Sequence, residues 1–144
     1  MTISQGMCDN FKVQILSGQQ NLISGATTTY KIALYTSSAT LSNATANYTS
    51  LNEVSSSGSN YTAGGNTLTV STSPTNDGNI AYMSFANSSW TNANITANGA
   101  LIYNSTANTA VASLAFGGDK TATNGTFTVI FPAANSTSAI IRIA

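Results

Sequence analysis

Histidine is absent from this chain of 144 residues, cysteine occurs once and proline twice. Charge is scarce as well: four acids and four bases make up 6% of the sequence, against about 25% in ordinary soluble domains. Each shortage removes a class of function. Without histidine, the usual Ser/His/Asp and Cys/His nucleophile sets cannot be assembled. The acids are Asp9, Glu53, Asp77 and Asp119, so a carboxylate pair for glycoside cleavage would have to come from these alone. Asp77 and Asp119 stand beside glycines, in expected turns where Asp serves backbone geometry. The expectation is a protein that is not an enzyme.

The bases are Lys12, Lys31, Lys120 and Arg142, too dispersed to neutralise a run of phosphates. Neither nucleic acid nor an anionic membrane surface is an expected partner. Cys8 can make no internal disulfide and has no histidine to share a metal with, so it reads as a small buried apolar residue. Asn76, Asp77 and Asn79 lie close together but match no EF-hand spacing. Gly117-Gly118-Asp119-Lys120-Thr121 lacks the phosphate-loop pattern. No metal or cofactor is therefore expected. No apolar run approaches the length of a membrane-spanning helix. MTISQGMCDNFK has no basic start followed by an apolar stretch, so no secretory leader is expected. The many Asn-x-Ser/Thr triplets are a chance product of a sequence rich in those residues.

What remains is 42% apolar residues set among Ser, Thr, Asn, Gly and Ala. The length suits one domain, which at this size buries roughly 68–70% of its unfolded surface. A net charge of zero favours association, as in a protein packed among copies of itself or other subunits, or in a secreted β-protein.

The dominant pattern is in Ile95–Gly118. Ile95, Ala97, Gly99, Leu101 and Tyr103 alternate with Thr96, Asn98, Ala100, Ile102 and Asn104. After a polar turn, Ala112, Leu114 and Phe116 alternate with Val111, Ser113 and Ala115. Period two predicts two long paired strands. Further strands are expected at Tyr30–Thr36 (with Ile32 and Leu34 inward), Thr67–Ser71, Asn79–Phe85, Thr126–Phe131 and Ser138–Ala144 (with Ile141 and Ile143 inward). Pro74 with Asp77-Gly78, the run Gly117–Lys120 and Pro132 are the expected breaks. Residues 18–28 read as a connector, 37–60 as low in pattern apart from a short strand or turn at Thr49–Val54, and 117–125 as looped. Trp90 should anchor one end of the core, and the six tyrosines read as packing residues before they read as a carbohydrate platform.

Residues 3–17 are the one good helix candidate. Ser4 is the expected N-cap, Met7, Phe11 and Ile15 repeat every four residues, Cys8 and Leu16 widen the stripe, and Gly18 offers a left-handed stop. The fold class expected is mainly β: an antiparallel β-sandwich of about seven to eight strands with one N-terminal α-helix. Residues 1–18 would be a helix or arm packed on the domain or on a neighbour, and 19–144 the sandwich. Met7, Phe11 and Ile15 are the candidate assembly contacts.

Several stretches carry a resemblance: Lys31-Ile32-Ala33-Leu34-Tyr35, Tyr61-Thr62-Ala63-Gly64-Gly65, Trp90-Thr91-Asn92-Ala93, Ile95-Thr96-Ala97, Gly99 to Asn104, Phe116 to Lys120 and Gly125 to Val129. From about residue 30 onward the chain resembles a family of small virion structural proteins of tailed bacteriophages, including phages of cyanobacteria. Asn98 stands where a basic residue is expected in such relatives. The resemblance implies a virion component made in the host cytoplasm. On one reading it is a capsid decoration or cement protein on the head exterior, a homo-oligomer, trimeric in that reading, that binds the major capsid protein. On the other it is a tail, baseplate or fibre-associated protein, with loops 37–60 and 117–125 touching host surface glycans.

Overall fold

The computed structural model describes residues 2–144. In chain order the elements are β1 (Gly6–Met7), α1 (Asp9–Leu16), β2 (Tyr30–Tyr35), β3 (Asn66–Thr67), β4 (Val70–Asp77), β5 (Ile80–Phe85), β6 (Ser88–Asn104), β7 (Thr109–Val129) and β8 (Ile141–Ile143). They form two antiparallel sheets, ordered β1-β7-β6-β2-β3 and β4-β5-β8. The chain is mainly β with one short helix, as the alternation predicts, and the paired sheets are consistent with a sandwich. No helix among the described residues is long and apolar enough to cross a membrane.

The hairpin of β6 and β7 is the frame. Its pairing runs from Asn104↔Thr109 beside the turn to Ser88↔Val129 at the open end. Between Ala93 and Ala97 buried and exposed residues alternate, as expected of a half-covered ribbon. From Gly99 to Asn104 every residue of β6 is buried. That stretch pairs with β2 as well as β7, and both of its faces are covered. One face meets the smaller sheet, where the rings of Tyr30 and Phe85 lie 5.9 Å apart. The other is covered by the segment after β2, whose Tyr48 stacks on Tyr103 at 4.7 Å. For this reason Ala33 and Tyr35 are as fully buried as Ile32 and Leu34, and the expected single inward face of β2 is corrected. Trp90 is buried between Tyr61 and Phe127, as an anchor of the core should be.

Other boundaries are corrected too. The run Gly117–Lys120 does not break the hairpin, and 117–125 is not a loop. Both lie within β7, which absorbs extra residues as bulges where the register steps from Gly99↔Ala115 to Ala97↔Lys120 and from Ile95↔Ala122 to Ala93↔Gly125. Gly117 (φ 75°) and Asn124 (φ 47°) supply the left-handed backbone at these steps. Asn98, opposite the first bulge, donates to Asp119 Oδ1 at 2.9 Å. The expected strand at Thr67–Ser71 is divided. Its start joins β2 as β3, and from Val70 the chain belongs to the smaller sheet. Pro74 does not end β4, because β4 is an edge strand whose register shifts between Thr72 and Thr75. The last strand covers only Ile141–Ile143. Ile141 is buried, whereas Ile143 points outward, 46% exposed.

The N-terminal helix is shorter than its periodicity suggests. Ile3 bridges to Leu41 and Gly6–Met7 pairs with Ala112 and Ser113, so residues before Asp9 complete a sheet edge. Cys8, not Ser4, is the N-cap, and its N–H donates to the Val111 carbonyl at 2.8 Å. Sheet hydrogen bonds thus outcompete a first helical turn. Gly18, at φ 74°, makes the left-handed stop after Ser17.

Candidate functional site

A helix turns about 100° per residue, which places Cys8, Phe11 and Ile15 on one side and Leu16 and Val13 well away from it. Phe11 and Cys8 are wholly buried in the chain's own core. Phe11 is therefore a packing residue and offers no surface to a partner. Met7 and Ile15 are half-buried. Leu16 does not widen the buried stripe: it is 90% exposed, and Val13 is 62% exposed.

Met7, Ile15 and Leu16 line one side of a groove of about 290 Å³, and Ile143 and Arg142 of β8 line the other. Lys12 stands at its rim, 3.4 Å from Asp9. Arg142 Nη1 donates to the Ser136 carbonyl at 3.2 Å. The groove is apolar along its length with a cation at each side. Fully covering one leucine is worth roughly 1.5–3 kcal/mol, so an occupant that covers Leu16 and Ile143 together gains substantial apolar burial. Two of the three expected contacts, Met7 and Ile15, come together here. Leu16, Ile143, Lys12 and Arg142 join them, and their grouping follows from bringing the two ends of the chain side by side.

A second cluster has no sequence signature. Glu53 is carried by the segment after β2, bridged to Tyr35. Its carboxylate accepts from Tyr48 Oη (2.7 Å), Tyr61 Oη (2.6 Å) and the Gly64 N–H (2.6 Å). Tyr61 Oη in turn accepts the Leu34 N–H at 2.9 Å, and Tyr103 Oη donates to the Gly64 carbonyl at 2.7 Å. Tyr35 Oη donates to the Thr49 carbonyl at 2.6 Å. Burial, reinforced by the Glu53 carboxylate, raises the Tyr61 and Tyr48 phenols above the usual range, and burial pushes Tyr103 up to about 12. These phenols are committed donors, and the cluster ties residues 48–64 onto β2 and β6. Thr49–Val54 is accordingly a turn closed by a bridge at Glu53, and the Gly64-Gly65 turn falls where expected.

Cys8 is fully buried, and burial, with Asp9 beside it, pushes its thiol up to about 11. Only the thiolate is nucleophilic. Alkylation by iodoacetamide at neutral pH is expected to be negligible in the native protein and rapid in denaturant, as read by mass spectrometry. Rapid native labelling would contradict this packing. Asp77 accepts from Ser136 Oγ at 2.8 Å and thereby ties β4 to the segment before β8.

Comparisons with protein-family models, with curated proteins and with solved structures find no match to this chain.

Proposed function

We propose that this chain is a non-enzymatic structural protein of a bacteriophage virion, a decoration or cement protein that stabilises the head from outside by covering seams between capsid subunits. The observation that carries the reading is the apolar groove between α1 and β8, with Leu16 90% exposed on its lip. A small fold that leaves such residues outward, on a chain with almost no charge, suits life against other protein surfaces. The resemblance of the strand motifs supports the same class. In this reading Met7, Ile15, Leu16 and Ile143 seat an apolar ridge of the capsid protein, and Lys12 and Arg142 orient acids beside it. The protein works as a homo-oligomer, and its contacts resist internal pressure through buried area, not chemistry.

The test uses Leu16→Glu combined with Ile143→Glu. Both positions are exposed, so stability is expected to change by less than about 1 kcal/mol. Binding to particles stripped of the protein is expected to fall at least tenfold. Unchanged binding would remove the groove from the reading. Quantitative mass spectrometry of purified virions tests the location. A copy number near that of the shell subunits fits decoration, and a copy number far below it transfers the protein to tail, baseplate or fibre. Absence from the particle would overturn the virion reading.

A further inference from the structure

The two long strands treat their outer edges differently. Beyond Gly99, the outer edge of β6 is closed by the chain itself. The Asn94 N–H donates to the Ser59 carbonyl at 3.0 Å, Asn66 Nδ2 to the Ser89 carbonyl at 2.9 Å, and the Asn60 side chain to the Thr91 carbonyl. The outer edge of β7 is paired by β1 only at Ala112 and Ser113. The Ala115 N–H then reaches Gln5 Oε1 at 3.3 Å, and beyond the strand the Phe131 N–H reaches Asn87 Oδ1 at 2.9 Å. Between these two points β7 is strand-paired on the β6 side alone, among the described residues. This open edge borders a cleft of about 420 Å³ lined by Phe116, Thr121, Ala122, Phe127 and Ile130, with Lys120 as its one charged residue. The Phe116 and Phe127 rings lie 6.3 Å apart, and Ile130 is 75% exposed.

Monomeric proteins blunt an open edge with charge or proline, because its unpaired N–H and C=O groups are a template for another strand. Thr121–Ile130, TATNGTFTVI, contains neither, and its one departure from a regular edge is the bulge between Ala122 and Gly125, with Asn124 at φ 47°. Its charge pattern indicates the occupant. An uncharged edge meets a copy of itself without like charges opposite one another. The nearest charges, Asp119 and Lys120, lie at one end. In an antiparallel arrangement about a two-fold axis they fall at opposite ends of the shared ladder and never face their own copies. The same axis sets each exposed Ile130 beside the other copy's Thr121 and Ala122, at the mouth of its cleft.

We propose that the edge running from Thr121 in β7 to Ile130, just past its end, pairs antiparallel with the same edge of a second copy, joining two five-stranded sheets into one. Such an isologous contact closes at two subunits. None of the residues from Thr121 to Ile130 lines the groove between α1 and β8.

Sedimentation velocity of the full chain across a wide concentration range, with amide exchange measured in parallel, tests this. The wild-type protein is expected to dimerise, with amides in 121–130 gaining protection as the dimer forms. Thr126→Lys changes an exposed side chain and sets two new ammonium groups near the axis. It is expected to abolish the dimer while keeping the wild-type circular dichroism and thermal midpoint. Leu16→Glu is expected to dimerise normally, which separates this contact from the groove. A wild-type monomer at every concentration, a trimer, a dimer that survives Thr126→Lys, or association without protection of 121–130 would each overturn the proposal.

Discussion

Gly65→Ala is expected to prevent the chain from reaching its native fold. A Cβ at this position would lie 1.8 Å from the Ile32 carbonyl oxygen and 2.6 Å from its carbon, and 2.8 Å from Ala33 Cα. None of these atoms belongs to a flexible side-chain end. They are backbone of β2, which is held between β6 and β3 and has four wholly buried residues, Ile32 to Tyr35. The turn cannot retreat either, because the Gly64 N–H is bound to Glu53 and the Gly64 carbonyl to Tyr103. A φ of 80° adds left-handed strain of roughly 1–2 kcal/mol for any residue with a side chain. The expected loss exceeds about 5 kcal/mol, enough to exhaust the stability of a domain in the lower part of the usual range of roughly 5–15 kcal/mol. Gly64→Ala is the control. It shares the positive φ, at 88°, but its nearest neighbour would be the Tyr103 hydroxyl at 3.3 Å. It should fold with a lowered urea midpoint, while Gly65→Ala should show no cooperative transition. A Gly65→Ala protein that melts like wild type would refute the close approach of this turn to β2.

The second large effect is expected at Glu53 and in alkali. Glu53→Ala removes one acceptor from two phenols and a backbone amide at once. Each orphaned buried donor costs about 1–3 kcal/mol, and Glu53 is only half-buried, so water replaces part of what is lost. The expected net destabilisation is about 2–4 kcal/mol. Residues 48–64 should become the first region to lose amide protection. The pH dependence follows from the same cluster. Unfolded tyrosines ionise near pH 10. In the folded chain, burial raises Tyr30 and Tyr103 to about 12, and Tyr35, Tyr48 and Tyr61 higher still. Above the unfolded value the native state therefore holds more protons than the unfolded state, so stability falls as pH rises. The contribution is complete below about pH 10 and is lost as pH climbs through the folded values. Urea midpoints measured in a series through this range should drop steeply, and less steeply for Tyr61→Phe. A flat series would show that these phenols are not held as donors.

The sequence by itself determined the fold class and the central hairpin, because period-two alternation is a local property that survives without neighbours. It also determined that Cys8 is a buried, unpaired thiol and that Gly18 stops the helix. Of the groove, Ile15 was legible from the helical repeat, whereas Met7, expected on the same helix, reaches it from β1. Tertiary structure decided the rest. Only the sheet edge of β7 could turn residues before Asp9 from helix into strand, since the alternative hydrogen bonds lie on residues distant in the chain. Bulges at Gly117 and Asn124 read as loop signals, because glycine and asparagine with positive φ serve both ends equally. The Glu53 cluster, the exposure of Leu16 and Ile143, and the open edge of β7 depend on which strands become neighbours. Burial on both faces, as in β2 and the inner half of β6, erases the alternation that a single sequence can display, so the covering layer formed by residues 37–60 appeared only when the chain was folded.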